Sequence, residues 1–260
     1  MEEAEVIKKR QKELLIIIPA YNEEKNIGDT LDGLAAAGIL DWADILVMND
    51  ASRDRTEEIV KQKGFPVVTH VYNLGYGSGL QVGYKYAVRK GYEYVIQMDA
   101  DGQHAVSNVK KIYDRLCTRD GEGNAPDIVL GSRFVKGSET YPISLVKKIA
   151  YCFFRLLIRI GTGQWIMDPT TGLQGLSRRA FSYYSRYSNF DDQYPDANMI
   201  MQMLLLGYRV EEMPALMFTR HEGVSMHHGL KPVVYMFRMM YSIIAVWLRI
   251  RLFHVEGKQK

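Results

Sequence analysis

Two carboxylates separated by one small residue, Asp99-Ala100-Asp101, close a short apolar run, Tyr94-Val-Ile-Gln-Met98, and lead into Gly102 and Gln103. The run has the length and composition of a buried strand. Where such a strand opens into a loop, a glycine lets the backbone turn, and Gln103 adds an amide oxygen beside the carboxylates. Mg2+ and Mn2+ favour oxygen ligands of this kind and usually bind through one or two carboxylates plus substrate phosphates. The same residues admit a plainer reading, with Asp99 capping the next helix and Asp101 solvated. The surrounding elements must separate the two.

Those elements alternate. Leu14-Leu-Ile-Ile-Ile-Pro19 is a continuous apolar, β-branched run that suits a strand buried on both faces, with Pro19 expected to stop the ladder. Asn22, in the turn Tyr21-Asn-Glu-Glu24, is an expected N-cap for a helix to about Ala37. A second strand, Asp44 to Asn49, ends in Asp50-Ala-Ser-Arg-Asp54, and a helix follows to about Lys63. Val67 to Tyr72 forms a third strand ahead of a helix to about Arg89. Tyr94 to Met98 forms a fourth, with a helix from Ser107 to about Arg119, and Ile128 to Leu130 a fifth, ending in Gly131-Ser-Arg133. Strands alternating with helices of this length imply right-handed βαβ units and a parallel sheet, a Rossmann-like α/β fold flanked by helices. Such sheets bind ligands beyond the carboxyl ends of their strands, so Tyr21–Glu24, Asp50–Asp54, Asp99–Gln103 and Arg133 should converge on one crevice.

Composition narrows the function classes. A chain of 260 residues, 47% hydrophobic and 24% charged, suits one α/β domain with a full core. A net charge of +3 gives no reason to expect nucleic acid as a partner. Cys117 and Cys152 make no disulfide framework and fit a reducing compartment. Residues 1–12 are a charged extension without an apolar core, so no secretory signal is expected. No stretch reaches about 18 uncharged apolar residues, the length expected of a spanning helix. Gly75, Gly77 and Gly79 follow a strand and open a helix, as at a dinucleotide site, but Leu80 stands where the last glycine of that motif belongs. Tight helix–sheet packing is the expected role of these glycines.

Pro19-Ala-Tyr-Asn-Glu-Glu24, Asn49-Asp-Ala-Ser-Arg-Asp54, Asn73-Leu-Gly-Tyr-Gly77, Asp99-Ala-Asp-Gly-Gln-His104 and Gly131-Ser-Arg133 occur in that order. Together they resemble the family 2 glycosyltransferases of GT-A fold, and within them the branch of dolichol-phosphate mannose synthases and polyprenyl-phosphate sugar transferases. The resemblance runs from about residue 13 to 226 and implies a catalytic domain of that extent. It implies an inverting, metal-dependent hexosyltransferase that moves a sugar from a UDP- or GDP-linked donor to a lipid phosphate. The place implied is the cytoplasmic face of a membrane, with peripheral attachment. The alternative acceptor is a hydroxyl on a glycan or lipid-linked sugar. By the resemblance Pro19, Tyr21 and Glu23 line the nucleoside pocket, Asp50 accepts from the base, and Ser52 lies beside it. Asp99, Asp101 and Gln103 hold Mg2+ or Mn2+ against the donor diphosphate, Ala100 lies between them, and Arg133 faces phosphate. Each of these residues could instead be a helix cap or a surface ion-pair partner.

The second half carries the lipid signal. Between Ile143 and Ile160, Lys147, Lys148, Arg155 and Arg159 fall within an arc of roughly 120° on an otherwise apolar helix. That pattern fits a core helix with a solvated edge or a helix lying in a membrane interface with its cations at lipid phosphates. The resemblance implies the second. Asp168-Pro-Thr-Thr-Gly-Leu173 resembles a segment that shapes the acceptor side in that branch, although Asp168 could also be a turn residue before Pro169. Asp191, Asp192 and Asp196 are candidates for a catalytic or positioning carboxylate, and Asp196 could equally support the helix that follows. Tyr208 to Met213 and Ala215 to Thr219 read as strands. Arg220-His-Glu-Gly-Val-Ser225 resembles a loop whose arginine reaches the diphosphate, with Met226 where many relatives have lysine. His221, His227 and His228 lack the carboxylate spacing of a metal cluster. Residues 227–260 form a tail whose apolar helix, about Leu230 to Phe253, has Lys231, Arg238 and Arg249 within about 20° on the wheel. Its longest uncharged stretch is too short to span, so it is expected to lie on a bilayer or dock on a small membrane partner.

Overall fold

The computed structural model describes residues 12–140, 145–219 and 231–253. In chain order the elements are β1 (Leu14–Ala20), α1 (Ile27–Ala36), β2 (Ala43–Asn49), α2 (Thr56–Gln62), β3 (Val67–Thr69), α3 (Tyr76–Lys90), β4 (Tyr94–Gln97), α4 (Ser107–Cys117), β5 (Ile128–Ser132), α5 (Leu145–Thr162), β6 (Gln174–Ser177), α6 (Arg178–Tyr184), α7 (Ala197–Leu205), β7 (Val210–Pro214) and α8 (Lys231–Phe253). The strands form one seven-stranded sheet in the order β3-β2-β1-β4-β6-β5-β7. All pairings are parallel except the two made by β6. Because β6 is antiparallel to both neighbours, β4 and β5 still run the same way, and the carboxyl ends of β1, β2, β4 and β5 share one rim.

Alternation along β1 builds the core. All seven of its residues are buried. Leu15 and Ile17 face one layer with Tyr84, Phe154, Phe181, Met203 and Ile243. Leu14, Ile16 and Ile18 face the other, with Leu31, Val60, Val109 and Leu116. A period of two on a sheet with helices on both faces requires this split.

The strand ends depart from the sequence expectations in informative ways. Pro19 does not stop β1, since the ladder with β2 runs on through Pro19↔Met48 to Ala20↔Asn49. Ile17 O accepts from Met98 N, and Ala20 O from Asp50 N, so odd positions point toward β4 and even positions toward β2. Pro19 therefore presents its missing N–H to the β4 side, where the register has already ended at Ile17↔Gln97. β3 stops at Thr69, and Val71 and Tyr72 are exposed although their side chains favour strands. β7 begins at Val210, and the segment expected as a strand over 215–219 makes only two isolated bridges, Glu139↔Leu216 and His104↔Met217. β6 was not expected. Its sequence, Gln-Gly-Leu-Ser, has a single large apolar side chain. Gly175 is required because a Cβ there would lie 2.3 Å from Ile112 of α4.

Candidate active site

Two turns at the rim are sewn together. Asn22 N donates to Ser52 Oγ at 3.0 Å, Arg53 N to Asn22 Oδ1 at 2.8 Å, and Glu23 N to Thr56 Oγ1 at 2.8 Å. Asn22 is thus no N-cap. It stands in the left-handed region at φ 55°, as does Ala51 at φ 58°, and α1 starts only at Ile27. Non-glycine residues held there cost free energy and persist where surrounding contacts impose them. Of the residues expected to meet a nucleoside, Tyr21 is exposed on this rim and Glu23 is partly buried, with Oε2 accepting from Asn26 Nδ2 at 2.7 Å. Ser52 Oγ serves the turn itself. Pro19 is buried within the sheet, two residues beyond the last β1–β4 pair.

Asp50 is buried and heavily used. Its Oδ1 accepts from Leu74 N at 2.8 Å and lies 2.8 Å from His70 Nδ1, and its Oδ2 accepts from Gly75 N at 2.9 Å. A carboxylate has about four acceptor positions. Its largest visible task is therefore to anchor the turn ahead of α3, with little capacity left for a base. The glycines of that turn also differ from expectation. A Cβ at Gly77 would lie 2.1 Å from Asp191 O, and one at Gly75 would lie 2.9 Å from Asp192 O, so these two pack on the 191–192 backbone. Helix–sheet closeness falls to Gly83, whose Cβ would lie 2.8 Å from Ile17 Cδ1.

The acidic loop sits at the end of β4. Asp99 Oδ1 accepts from Tyr76 Oη at 2.9 Å, and Oδ2 lies 3.4 Å from His104 Nε2. Burial alone would raise the Asp99 pKa. The His104 hydrogen bond and charge, the Tyr76 hydroxyl and the Arg133 charge outweigh it and hold Asp99 below the ordinary aspartate value. Gly172 has no room for a side chain, because a Cβ would stand 2.1 Å from Asp99 Oδ2. The Ala100 methyl is in the core, and Ala100 O accepts from Thr30 Oγ1 at 3.1 Å, so this residue ties the loop to α1 and offers a ligand nothing beyond its backbone. Gly102 turns at φ 73°, and Asp101 Oδ1 accepts from Gln103 N at 3.1 Å. Gln103 is pinned by Phe218 N to its O at 2.8 Å and by its own Nε2 to Phe218 O at 3.3 Å.

This donor set fits a hard divalent ion with Asp101 as its leading protein ligand and the Gln103 amide oxygen as a neighbour. Asp99, expected beside Asp101 as an equal ligand, is turned toward Tyr76 and His104. Among the described residues no group of three or more His, Cys, Asp or Glu is placed to cage a metal. The remaining ligands would be donor phosphates and water, as is usual for Mg2+.

Arg133 corrects the expectation most. It does not present its fork to an open crevice. Its N and Nε donate to Asp168 Oδ2, both at 2.8 Å, and Nη2 donates to Asp168 Oδ1 at 2.6 Å and to Thr170 Oγ1 at 2.9 Å. Asp168 is 0% exposed and the Arg133 side chain 10%. Asp168 does stand ahead of a turn at Pro169–Thr170, and its side chain holds Arg133. Nη1 lies 3.4 Å from Tyr151 Oη on α5, and the guanidinium stacks over Tyr151 and Phe134.

The three acidic candidates near α7 separate cleanly. Asp191 accepts from Gln193 N, Tyr194 N and Asn198 Nδ2 and shapes its own loop. Asp192 is exposed and contributes its backbone oxygen to Ser78 N. Asp196 immediately precedes α7 without a side-chain cap bond, and its Oδ2 accepts from Tyr235 Oη at 2.6 Å. Burial, against the Tyr235 hydrogen bond and helped by repulsion from Asp99, pushes its pKa up to about 6. A carboxyl raised in the folded state supports folding fully below its ordinary value and loses that support as pH rises through the raised one. The stability advantage of Asp196→Asn over the parent should therefore grow by roughly 1–2 kcal/mol between about pH 4 and about pH 8, after discount for partial exposure. Urea titrations at the two pH values check this; a constant difference would mean an unperturbed carboxyl.

Comparison with known proteins settles the class. Residues 15–185 match the family model described as Glycosyl transferase family 2. The chain belongs to glycosyl transferase family 2. An uncharacterized protein of Methanocaldococcus jannaschii is 31% identical over 237 residues, covering 89% of this chain and 91% of the relative. Polyprenol monophosphomannose synthase of Mycolicibacterium smegmatis is 26% identical over 226 residues, covering 83% and 81%. Glucosyl-3-phosphoglycerate synthase of Mycobacterium tuberculosis, solved with Mn2+, uridine diphosphate and phosphoglyceric acid, superposes with a TM-score of 0.67 at 18% identity, covering 91% of this chain and 78% of that one. The last likeness shows the shared GT-A fold. This family 2 chain is a glycosyltransferase.

Within this glycosyltransferase, the expected diphosphate contact Arg220, the loop through Met226 and the histidines 221, 227 and 228 lie outside the described residues, as does the extension 1–11. The sequence reading gave no role to Tyr76, His104 or Tyr235. Tyr76 lies in the Asn73–Gly77 motif and His104 ends the acidic motif, and both meet Asp99. Nothing local marks Tyr235.

Proposed function

We propose that this glycosyltransferase moves a hexose from a nucleotide diphosphate sugar to a polyprenyl phosphate at the cytoplasmic face of a membrane, with inversion at C1. The observation that carries the lipid acceptor is the flank of the crevice. α5 and α8 pack beside it and contain no acidic residue. Their outer faces expose Ile149, Phe153, Leu156 and Ile160 on one, and Val234, Phe237, Tyr241, Ile244 and Leu252 on the other. Ile160 is 73% exposed and Tyr241 75%. Lys148, Arg159, Arg238 and Arg251 are interspersed among them. Apolar stripes edged by cations suit an interfacial position on anionic lipid. Among the described residues no helix is long and apolar enough to cross a membrane.

The crevice supplies the chemistry in parts. Donor binding falls to the rim turns, with Tyr21 and Glu23 at the nucleoside end. A bound Mg2+ or Mn2+ ion would offset charge building on the leaving diphosphate, with Asp101 and Gln103 as its holders. Phe134 lies under two guanidinium groups, Arg133 at 5.4 Å and Arg155 at 4.5 Å from the ring centroid. Asp168 neutralises Arg133, whereas no carboxylate among the described residues pairs with Arg155. Arg155 is thus suited to receive the acceptor phosphate from the α5 side. A phosphate oxygen is already ionised at neutral pH, so Asp196 need not remove a proton and serves to orient the reacting groups. A hydroxyl acceptor would need Asp196 as a base instead.

A thermal-shift screen of UDP- and GDP-linked hexoses with Mn2+ tests donor binding, because ligands of the native state raise its apparent melting temperature. Acid treatment of the product then separates the acceptors. A sugar phosphodiester to polyprenol is cleaved by mild acid, and a glycoside, which would refute the lipid-phosphate acceptor, survives. Joint replacement Leu156→Glu and Ile160→Glu should abolish sedimentation with phosphatidylglycerol vesicles at an unchanged melting temperature. Undiminished sedimentation would remove α5 from the lipid-facing surface.

A further inference from the structure

α8 reaches into the crevice at one point that the transfer chemistry leaves unexplained. Tyr235 Oη donates to Asp196 Oδ2 at 2.6 Å, across 39 residues of sequence. Its ring meets Tyr194 at 5.7 Å and Phe154 of α5 at 6.4 Å between centroids. Farther along, Ser242 Oγ accepts from Asn198 Nδ2 at 2.9 Å, and Arg249 donates to Gln202 Oε1. Asn198 and Gln202 belong to α7, the helix that Asp196 opens. Met239 and Ile243 are buried beneath the same side of α8. Tyr235, Met239, Ser242 and Ile243 recur at helical spacing, and so, on the opposite side, do Val234, Phe237, Tyr241 and Ile244. One side of α8 is bonded to the segment carrying the candidate carboxylate. The other is bare.

We propose that Tyr235 is a positioning residue that holds the Asp196 carboxylate in the crevice, so that the seating of α8 on a lipid surface governs where this carboxylate stands during transfer. The proposal rests on the lipid-surface reading above. A tyrosine kept only for packing needs no hydroxyl, and here the hydroxyl is aimed at a carboxylate that also faces Asp99 beyond β4, Arg133 beyond β5, Tyr76 of α3 and Asp191 of its own loop. Removal of the only neutral donor that the described structure gives to the Asp196 side chain leaves the ionised form less favoured. Displacement of α8 by lipid would move the same donor. Transfer would then be matched to the moment when the enzyme sits on the membrane that holds its acceptor.

The test uses the full chain labelled with 13Cγ-aspartate, with and without vesicles of phosphatidylcholine and phosphatidylglycerol. The proteins are the parent, Tyr235→Phe and Asp196→Asn, the last to assign the Asp196 resonance. Tyr235→Phe should raise the Asp196 titration midpoint by about one pH unit. Vesicles should shift the Asp196 resonance in the parent, and that shift should be lost in Tyr235→Phe although both proteins sediment. An unchanged midpoint in a normally melting Tyr235→Phe, or an equal vesicle response in both proteins, overturns the proposal. Should Tyr235→Phe melt early, the vesicle response of Asp196 in the parent decides: a shift supports the coupling and its absence overturns it. A parent that never sediments removes the lipid-surface reading and the coupling with it, whereas sedimentation with a silent Asp196 removes the coupling alone.

Discussion

Asp101→Ala should lower metal-supported transfer by roughly 10³-fold, or about 4 kcal/mol in the transition state, while melting stays close to that of the parent. Asp101 closes the loop after β4, where its Oδ1 accepts from Gln103 N at 3.1 Å. One such bond contributes about 1 kcal/mol to stability, small beside the total for a domain. The functional loss is larger because a carboxylate at this place is asked to hold an ion against a leaving diphosphate. That interaction strengthens as charge develops. EDTA should silence the parent and added Mn2+ should restore it, whereas neither should alter the residual rate of the variant. Full transfer by Asp101→Ala in EDTA would eliminate the metal mechanism.

Asp168→Ala should be the most destabilising single change in the crevice, by about 3–5 kcal/mol in urea unfolding. The side chain is fully buried and receives three donors from Arg133. Truncation leaves a guanidinium that is itself 10% exposed without its counter-charge. The cost comes from the stranded cation more than from the lost attraction. A double-mutant cycle with Arg133→Met separates the two, because removing both charges should cost much less than the sum of the single losses. A loss below about 1 kcal/mol for Asp168→Ala would mean that water replaces the carboxylate and that Arg133 is available to phosphate after all.

Fold and chemistry were legible to different depths. The run Leu14–Ala20, the strand ahead of Asp99 and the helix starts near Ser107 and Tyr76 stand where their periodicity and flanking residues place them. β6 escaped because four residues with one large apolar side chain carry no usable period, and its position between β4 and β5 depends on α4 closing over Gly175. Asp50 and Arg133 were found as polar residues at strand ends, yet their partners could not be read. Asp50 meets amides 24 and 25 positions away, and Arg133 meets a carboxylate 35 positions away across α5.

By itself the sequence determined the alternating α/β plan, the rim on which the loops gather, and the acidic loop that offers Asp101. Burial has a short period along the chain, and strand direction in a parallel sheet puts every carboxyl end on one side. Only the tertiary structure decided which polar side chains are spent on the protein and which are left for a ligand. It assigned Asp168 to Arg133, Gly77 to the backbone of Asp191, and Tyr235 to Asp196 among three nearby aspartates. Those assignments depend on how elements far apart in sequence cross, and side-chain type alone does not encode that geometry.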